Sequence, residues 1–293
     1  MAAPGGILAL GAAAAWGGGD FAGGMGVRKT GGTTTAALWF LILAHGASLV
    51  ILAGLLAASG WPTAWGVAAL WALGSGVAAA LALTAFYMAL ARGEMGVSAA
   101  LSGILAAAIP ALASTVLEGA PTALRVVGFV LAAVAIWTIA AGDAKPAERS
   151  TFWLAMAGGV GFGVYFVALR MANPLGVVAP MMLARVASVT TCVVLVVVMT
   201  LGGNRAGAEG RGGFAEVWRV WPWALAVAAM DTGGNLLFVA ATRAGRLDVA
   251  AVLASLYPAG TILLAAWRLH EKPSRRQLGG MALALAAVVM ITV

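Results

Sequence analysis

Long apolar stretches, separated by short polar or glycine-rich connections, run through the whole chain. No Asp, Glu, Lys or Arg occurs between Thr30 and Ala91, and as one helix this stretch would be on the order of 90 Å long, about three bilayer cores. It must therefore fold back, and Gly60-Trp61-Pro62-Thr63 has the composition of a turn. The same pattern predicts ten membrane-spanning helices, at approximately Gly6–Gly26, Thr35–Leu56, Trp65–Leu90, Val97–Leu117, Thr122–Ala141, Thr151–Arg170, Val177–Leu201, Trp221–Thr242, Val249–Leu269 and Arg275–Val293.

The composition agrees with a membrane protein and excludes a soluble domain. Apolar residues make up 62% of the 293 residues, charged residues make up 9%, and the mean hydropathy is +1.00. A soluble domain carries roughly 25% charged residues. The first apolar stretch is too long for a signal-peptide core and lacks a basic start, so we interpret it as the first span. The predicted fold class is therefore an all-α integral membrane protein with ten transmembrane helices.

The charged residues lie mostly in the connections between the spans. A net charge of +7 suggests nucleic-acid binding in a soluble protein, but in a membrane protein basic loops set the orientation, so no nucleic-acid partner is expected. Loops after odd-numbered spans hold the larger basic set, Arg28, Lys29, Arg92, Lys145, Arg149, Arg205, Arg211, Arg219, Arg268, Lys272, Arg275 and Arg276. Loops after even-numbered spans hold Arg125, Arg170, Arg243 and Arg246. This bias predicts that both termini lie outside the cytoplasm.

A shift of 152 positions brings the two halves of the chain into register and indicates an internal duplication. The matched positions include aromatic, glycine, proline and aliphatic pairs: Phe86 with Phe238, Gly93 with Gly245, Val97 with Val249, Ala99 with Ala251, Leu101 with Leu253, Pro121 with Pro273 and Gly128 with Gly280. We therefore divide the chain into a first five-helix repeat at 1–142, a polar linker at 143–150 and a second repeat at 151–293. Because five is odd, the second repeat is inverted in the membrane, which is typical of secondary transporters with a site at the midplane.

Each repeat ends in an acidic residue, a Pro-Ser/Thr turn and a last helix that carries glycine. The residues are Glu118, Pro121-Thr122 and Gly128 in the first half, and Glu271, Pro273-Ser274 and Gly280 in the second. With two five-helix halves, these features resemble the EamA branch of the drug/metabolite transporter superfamily over nearly the whole chain. The segment Ser255-Leu256-Tyr257-Pro258 is similar to the break in that family's ninth helix. The first half departs from the pattern, with Ala106 at the matching position and Pro110 later.

Within that branch, the aromatic-rich composition and the Trp16…Asp20 opening are most similar to YddG-type exporters of amino acids. The resemblance implies ten helices in two inverted repeats and a pathway lined by the third, sixth, eighth and ninth helices. It also implies that both termini lie in the cytoplasm, which conflicts with the orientation predicted from the loop charges.

Few ionisable side chains fall within the predicted spans, and each is a candidate for function, because an ionisable group in the bilayer must face protein or water. Asp231 and Asn235 are one turn apart on the eighth helix and share a face. The eighth helix lines the cavity in the resembled family, so the resemblance implies that this pair lines it here. Arg185 is interpreted as the buried partner of Asp231 or Asp20 rather than as a substrate ligand. For Asp20, cavity lining and pairing stay equally open. His45 is interpreted as a hydrogen-bonded packing residue rather than a proton relay.

Aromatic and kinked positions complete the predicted site. All three tyrosines of the chain fall within spans, where each hydroxyl needs a partner. Together with the ionisable candidates, the predicted substrate-binding residues are Trp16, Asp20, Tyr87, Ser102, Tyr165, Asp231, Asn235 and Tyr257. Ordinary core packing remains the alternative for the aromatic residues, and a bond to its own helix remains the alternative for Ser102. Pro110 and Pro258 each remove a backbone hydrogen bond, so we expect them to act as hinges in corresponding helices.

The sequence predicts a secondary transporter that exports small metabolites, first of all aromatic or apolar amino acids, across a bacterial-type plasma (inner) membrane. No Walker pattern and no His-Glu-x-x-His occurs in the sequence, so no nucleotide, metal or other cofactor is expected. The single Cys192 is interpreted as a packing residue. The expected partners are a small-molecule substrate and the lipid bilayer, and a monomer is expected to suffice. A lipophilic cation, a nucleotide sugar or a sugar phosphate remains as another cargo, and a membrane enzyme, channel or scaffold as another class.

Overall fold

A computed structural model describes residues 4–92, 95–140, 149–201, 213–260, 264 and 274–292. Within these residues all regular structure is helical, with eleven α-helices and one short 3-10 helix at Asn173–Leu175. The α-helices are α1 (Pro4–Lys29), α2 (Thr34–Ser59), α3 (Gly66–Arg92), α4 (Met95–Leu117), α5 (Ala123–Ala140), α6 (Arg149–Met171), α7 (Val178–Leu201), α8 (Phe214–Trp218), α9 (Trp221–Ala244), α10 (Leu247–Ala254) and α11 (Arg275–Thr292).

The long helices lie within a few residues of the predicted spans, and the prediction of an all-helical membrane protein is confirmed. Six described helices are long and apolar enough to cross a membrane: Thr34–Ser59, Gly66–Arg92, Ser98–Leu117, Arg149–Met171, Val178–Leu201 and Trp221–Ala244. Three shorter apolar helices are Ala123–Ile139, Leu247–Gly260 and Leu278–Thr292. Helix α1 has the same 26-residue length as α2, but it carries nine glycines and Asp20, so it is less apolar. The count of ten spans therefore stays a prediction.

Some sequence predictions concern residues outside the described ranges. The predicted linker at 143–150 lies mostly outside the described residues. So do most of 261–273, which include the second half of the predicted ninth span and the Glu271 end of the second repeat.

Local sequence explains where α2 begins and ends. The Thr33 side chain accepts a hydrogen bond from the backbone N–H of Ala36 at 3.1 Å, which caps the first turn. At the other end Gly60 has φ 92°, and its N–H donates to the carbonyl of Leu56. This left-handed conformation favours glycine and turns the chain away from the helix. The predicted fold-back at residues 60–63 thus lies where the structure ends α2.

The two proline-containing helices behave differently. Helix α4 continues through Pro110 without interruption. Helix α10 ends at Ala254, and a turn at Ser255 and Leu256 precedes Pro258. The break predicted in the second half is therefore present in the backbone, whereas Pro110 is tolerated inside a helix.

Helices from the two halves pack against each other along most of their length. The main pairs join α1 to α9, α3 to α6, α5 to α11, α2 to α7, α3 to α7 and α2 to α9. Helix α4 contacts α6 and α10, and α10 also contacts α1. The core thus lies between the halves rather than within either one.

Close helix approaches position the centre of this bundle. A Cβ atom added to Gly76 of α3 would overlap the carbonyl group of Ala184 on α7, next to Arg185. On α1, a Cβ at Gly18 would lie 2.7 Å from the Met230 sulfur of α9, and one at Gly23 would overlap the Tyr87 ring of α3. Small residues that let helices approach closely are typical of membrane interfaces. They bring α1, α7 and α9 together around the candidate site.

Candidate functional site

A buried arginine forms the centre of the polar site. Arg185 lies in the middle of α7 and is 1% exposed. Its Nη2 donates to Oδ2 of Asp231 on α9, and its Nε donates to the Ser48 hydroxyl of α2 at 3.0 Å. A buried charge is stable only when paired and hydrogen-bonded. The alternative in which Arg185 pairs with Asp231 is thus the one that the structure shows.

Histidine and hydroxyl side chains surround this ion pair. Arg185 Nη1 lies 3.3 Å from His45 Nε2, and His45 Nδ1 lies 2.7 Å from the Ser188 hydroxyl. An arginine can only donate, so Nε2 accepts and the neutral ring carries its proton on Nδ1. His45 is fully buried, as expected for a hydrogen-bonded packing residue. The Ser48 hydroxyl also lies 2.5 Å from the Thr232 hydroxyl, which ties α2 to α9.

The network continues along α9 toward α6. The side-chain amide of Asn235 donates to Asp231 Oδ1 at 2.8 Å, and Tyr165 on α6 donates its hydroxyl hydrogen to Asn235 Oδ1 at 2.6 Å. Asp231 therefore accepts from both Arg185 and Asn235. Four helices of the bundle (α2, α6, α7 and α9) meet in one connected set of hydrogen bonds, and we call its members His45, Ser48, Tyr165, Arg185, Ser188, Asp231, Thr232 and Asn235 the paired centre.

Aromatic side chains form a wall next to the paired centre. The Trp16 ring of α1 stacks on Phe166 of α6, with centroids 5.1 Å apart and planes 10° apart. Phe166 also contacts Phe238 of α9, with centroids at 4.5 Å. Gly234 makes room for this arrangement, because an added Cβ would lie 2.6 Å from Trp16 Cδ1. The wall thus depends on a glycine between Asp231 and Asn235.

Asp20 borders the same cavity, one turn from Trp16 along α1. Its side chain is on α1, the residue is 8% exposed, and no hydrogen bond reaches its carboxylate from the described residues. The charged side chain that interacts with it is Asp231, which has the same sign. Asp20 therefore lacks the compensation that Asp231 receives from Arg185.

These elements enclose one cavity between the two halves of the chain. Its lining residues are Trp16, Asp20, Ala79, Leu83, Phe162, Tyr165, Phe166, Arg185, Asp231, Asn235 and Tyr257. The centre of a water molecule can reach about 30 Å³ of this space. This is room for on the order of two waters. The cavity is thus too small for an organic ligand unless the helices around it separate.

The structure brings six of the eight predicted substrate-binding residues to this cavity: Trp16, Asp20, Tyr165, Asp231, Asn235 and Tyr257. The other two do not line it. Tyr87 packs against Phe40 and Phe86, and Ser102 is fully buried, with its backbone against Gly159 of α6. A helix position alone did not show which way each of these side chains faces.

Sequence reasoning did not include Arg185, Phe162 or Phe166 among the binding residues, although all three line the cavity. A signal for the two phenylalanines existed. Residues 162, 165 and 166 have the spacing of one helix face, so the selection of Tyr165 could have been extended to its neighbours.

A second polar cluster lies at one end of the bundle, where α4 and α6 end and α10 begins. Arg170 donates to Oε1 of Glu118 from Nε at 2.9 Å, and the Leu247 N–H and the Ser114 hydroxyl donate to Oε2 at 2.8 Å each. Partial burial raises the pKa of Glu118, but these hydrogen bonds and the Arg170 charge outweigh it and lower the pKa below its usual value.

Arg246 completes this cluster from the turn between α9 and α10. It donates to Asp248 Oδ2 at 2.8 Å and to the carbonyl oxygens of Glu118 at 3.0 Å and Gly119 at 2.7 Å. The hydrogen bond to Asp248 is the main reason that the pKa of Arg246 is raised. We call Ser114, Glu118, Arg170, Arg246 and Asp248 the end cluster. It ties the first half of the chain to the second at the end where α9 meets α10.

Most of the paired centre lies in the second half of the chain, and the comparison with known families points to the same half. The EamA-like transporter family model matches residues 149–293. The chain contains an EamA-like transporter domain. This EamA-like domain holds Tyr165, Arg185, Asp231 and Asn235. Because the family is one of transporters, the match indicates a small-molecule transporter, and with the apolar helices it makes the chain a multi-pass membrane protein.

Comparison with solved structures supports the fold of the whole chain around the EamA-like domain. One solved structure, described only as "Crystal structure of protein", aligns with 100% of this chain and 99% of its own, at a TM-score of 0.71 and 16% identity. At this identity the likeness shows the fold alone. No curated protein matches the chain.

Proposed function

We propose that the chain is a secondary transporter of ten spans, built from two inverted five-helix repeats that alternate access to a central site. The helix pairings support this architecture. Exchange of the halves would replace α1 by α6, α2 by α7, α3 by α9, α4 by α10 and α5 by α11. The pair α1–α9 then becomes α6–α3, and α3–α7 becomes α9–α2, and both products are pairs in the bundle. Transporters with inverted repeats place their substrate site at the interface between them.

We further propose that the cargo is an amino acid with an apolar or aromatic side chain, as in YddG-type exporters. The observation that carries this proposal is a cavity lined by a carboxylate, Asp20, together with aromatic rings. Asp20 would hold the α-ammonium group. Phe162, Phe166 and Trp16 would pack on the side chain, and most small-molecule sites combine apolar walls with a few fixed polar groups.

The carboxylate of an amino acid needs donors, and Arg185 is the source that supports this part of the proposal. A guanidinium carries five N–H donors. Three are used by Ser48, His45 and Asp231. The remaining two can turn to a bound carboxylate once the helices separate. An amino acid would thus place its ammonium group at Asp20 and its carboxylate at Arg185, and both residues border the cavity.

Uptake into proteoliposomes tests the proposed cargo. We expect labelled L-phenylalanine or L-leucine to enter vesicles that contain the purified chain faster than protein-free vesicles, with saturation and with inhibition by the unlabelled amino acid. UDP-glucose and glucose 6-phosphate should not compete, because a single buried arginine, already paired, cannot balance a phosphate charge. Absence of any amino-acid uptake by folded, reconstituted protein would contradict the proposal.

A lipophilic organic cation is the second candidate cargo, and the charge of the cavity favours it. Asp20 and Asp231 contribute two negative charges and Arg185 one positive charge, so the described lining has a formal charge of 1 − 2 = −1. A cation without a carboxylate would neutralise this site. Uptake of benzyltrimethylammonium, which keeps the aromatic ring and the positive charge of the proposed cargo, separates the two candidates when it is compared with uptake of phenylalanine.

The membrane and the orientation remain part of the proposal. We place the protein in a bacterial-type plasma membrane as an efflux transporter that functions as a monomer. Accessibility of cysteines introduced at Arg28 and Arg125 to an impermeant reagent decides the orientation, since these residues lie at opposite ends of the bundle. Labelling of Arg125→Cys from outside the cell would favour the loop charges, and labelling of Arg28→Cys would favour the cytoplasmic termini implied by the family resemblance.

A further inference from the structure

Asp20 is the one deeply placed charge without a partner in the described part of the spans. Apart from residues near the helix ends, these segments hold three charged side chains, Asp20, Arg185 and Asp231. Arg185 and Asp231 neutralise each other. A bare carboxylate at membrane depth is costly, so it persists only when it is neutralised or reaches water.

The described helices that pack around Asp20 offer it no compensating group. Helix α9 presents Asp231, which repels a second negative charge. Helix α3 presents Tyr87, and the segment after α10 presents Tyr257, whose hydroxyl donates to the carbonyl of Ala99 at 3.3 Å. Helices α7 and α2 hold Arg185 and His45, which are hydrogen-bonded to each other. None of these groups supplies a positive charge or a hydrogen bond to Asp20 in the described residues.

Two species can neutralise this carboxylate where it lies. One is a proton, which converts it to a neutral acid that tolerates the apolar wall of Trp16 and Phe166. The other is the cationic group of a bound cargo. Both occupy the same oxygen atoms, and a protonated acid no longer attracts a cation, so binding of one excludes the other.

We propose that Asp20 binds either one proton or the cationic amino group of the cargo, and that this competition couples export of one cargo molecule to import of one proton. This inference rests on the proposed function. Cargo from one side displaces the proton from the Asp20 carboxyl to that side, leaving an ammonium–carboxylate pair. On the other side a proton rebinds the carboxylate and releases the cargo. No covalent bond of the cargo is made or broken, and each cycle exchanges one proton for one cargo molecule.

The proposal also fixes the net charge that each cycle moves. An amino acid is a zwitterion of net charge zero, so its exchange for one proton carries one positive charge inward and responds to the membrane potential. A monovalent organic cation exchanged for one proton moves no net charge. Transport that responds to the membrane potential therefore indicates a zwitterionic cargo, and transport that does not respond indicates a monovalent cation.

Accumulation in proteoliposomes tests the coupling. With the vesicle interior one pH unit more acidic than the outside and the potential held at zero by valinomycin and equal K⁺, we expect phenylalanine to accumulate roughly tenfold, because one pH unit is a factor of ten in proton activity. Asp20→Asn should lose this accumulation, and Asp20→Glu should retain it. Glu216→Gln, which replaces a carboxylate in α8 outside the cavity, is the matched control and should accumulate phenylalanine like the wild type.

The outcomes separate failure of this inference from failure of the proposed function. Wild-type protein that moves phenylalanine without regard to the pH gradient, or an Asp20→Asn variant that still accumulates it tenfold, overturns the coupling and leaves the transporter proposal standing. Wild-type protein that moves neither phenylalanine nor benzyltrimethylammonium overturns the proposed function.

Proton release on binding gives a second readout that needs no transport. Addition of phenylalanine to the detergent-solubilised wild-type chain in weakly buffered solution should release protons, up to about one per bound molecule. The Asp20→Asn variant, checked for folding by its melting temperature, should release none. Equal release from both proteins would overturn the assignment to Asp20.

Discussion

The two carboxylates that border the central cavity have opposite surroundings. Asp231 accepts hydrogen bonds from Arg185 and Asn235 and belongs to a network that spans four helices. Asp20, on the facing helix, receives none from the described residues. A buried ion pair is costly to break because it leaves one charge uncompensated, whereas a lone buried carboxylate destabilises the fold that contains it. We therefore assign Asp231 a structural role, and the proposed function assigns Asp20 to the cargo.

Replacement of Arg185 should change the stability of the chain more than any other substitution considered for this comparison. Arg185→Ala leaves Asp231 buried without its counter-ion, so we expect the chain to lose about 3–5 kcal/mol of stability. The measurement is the midpoint of thermal or denaturant unfolding in detergent. Asp20→Asn, which removes the uncompensated charge, should leave the midpoint unchanged or raise it. A stability loss in Asp20→Asn as large as in Arg185→Ala would contradict the assigned roles.

A methyl group added at Gly234, between α9 and the Trp16 ring of α1, should have the next largest effect. In Gly234→Ala the new Cβ would lie 2.6 Å from Trp16 Cδ1, so the Trp16 ring beside Asp20 must shift. Overpacking of this kind costs about 1–3 kcal/mol. We expect a lower melting temperature and slower uptake of phenylalanine.

The neighbouring glycine provides a matched control for that substitution. A Cβ added to Gly233 meets no atom within 4 Å. Gly233→Ala should therefore leave uptake unchanged and the melting temperature equal or slightly higher, since alanine favours the helix by about 0.5–1 kcal/mol. If both substitutions slow uptake equally, the effect does not arise from Trp16.

Loss of one hydroxyl at the edge of the paired centre should have a smaller effect. Tyr165→Phe keeps the ring in the cavity but removes the donor to Asn235 Oδ1. We expect a stability loss of about 0.5–1.5 kcal/mol, the usual net contribution of one hydrogen bond. Because Asn235 supports Asp231 rather than Asp20, the pH dependence of transport should stay as in the wild type. A changed proton coupling in this variant would show that the two carboxylates are not independent.

The end cluster supplies the smallest expected effect, because its ion pairs are partly exposed to water. The pKa of Glu118 in the folded chain is lowered, so its ionised form stabilises the fold above its ordinary pKa of about 4.3. This contribution is lost as the pH falls through the lower folded value. Glu118→Gln should therefore destabilise the chain by about 1 kcal/mol or less at neutral pH. The difference in unfolding midpoint between variant and wild type should shrink below about pH 4.3, and a pH-independent difference would contradict the assignment.

Much of the fold could be predicted from the sequence, because the boundaries of membrane helices depend on local composition. The fold-back at residues 60–63 and the short helix at Phe214–Trp218 lie in connections whose glycine, proline or tryptophan residues mark them. Helix α10 was harder to predict. The stretch from Val249 is continuously apolar, so its composition did not show that the described helix ends at Ala254. Only the resemblance of Ser255–Pro258 to the family's broken ninth helix predicted the break.

Which side chains meet across the bundle depends on how each helix is rotated about its own axis. The pattern of a single sequence does not give that rotation. Both Tyr87 and Tyr165 are tyrosines in the middle of a span. Only Tyr165 reaches the cavity, because Tyr87 fills the space beside Gly23. The pairing of Arg185 with Asp231 rather than Asp20 likewise depends on the approach of α7 to α9, which no spacing within one helix reports.

The most direct test of the division between the two carboxylates is the initial rate of phenylalanine uptake by Asp20→Asn in proteoliposomes, measured against the wild type at equal amounts of folded protein. Loss of the charge that holds the ammonium group should slow uptake at concentrations well below saturation by at least about tenfold, equivalent to 1.4 kcal/mol of binding free energy, while the melting temperature stays at or above that of the wild type. Uptake at the wild-type rate would contradict the account, because the cargo would then be bound without Asp20.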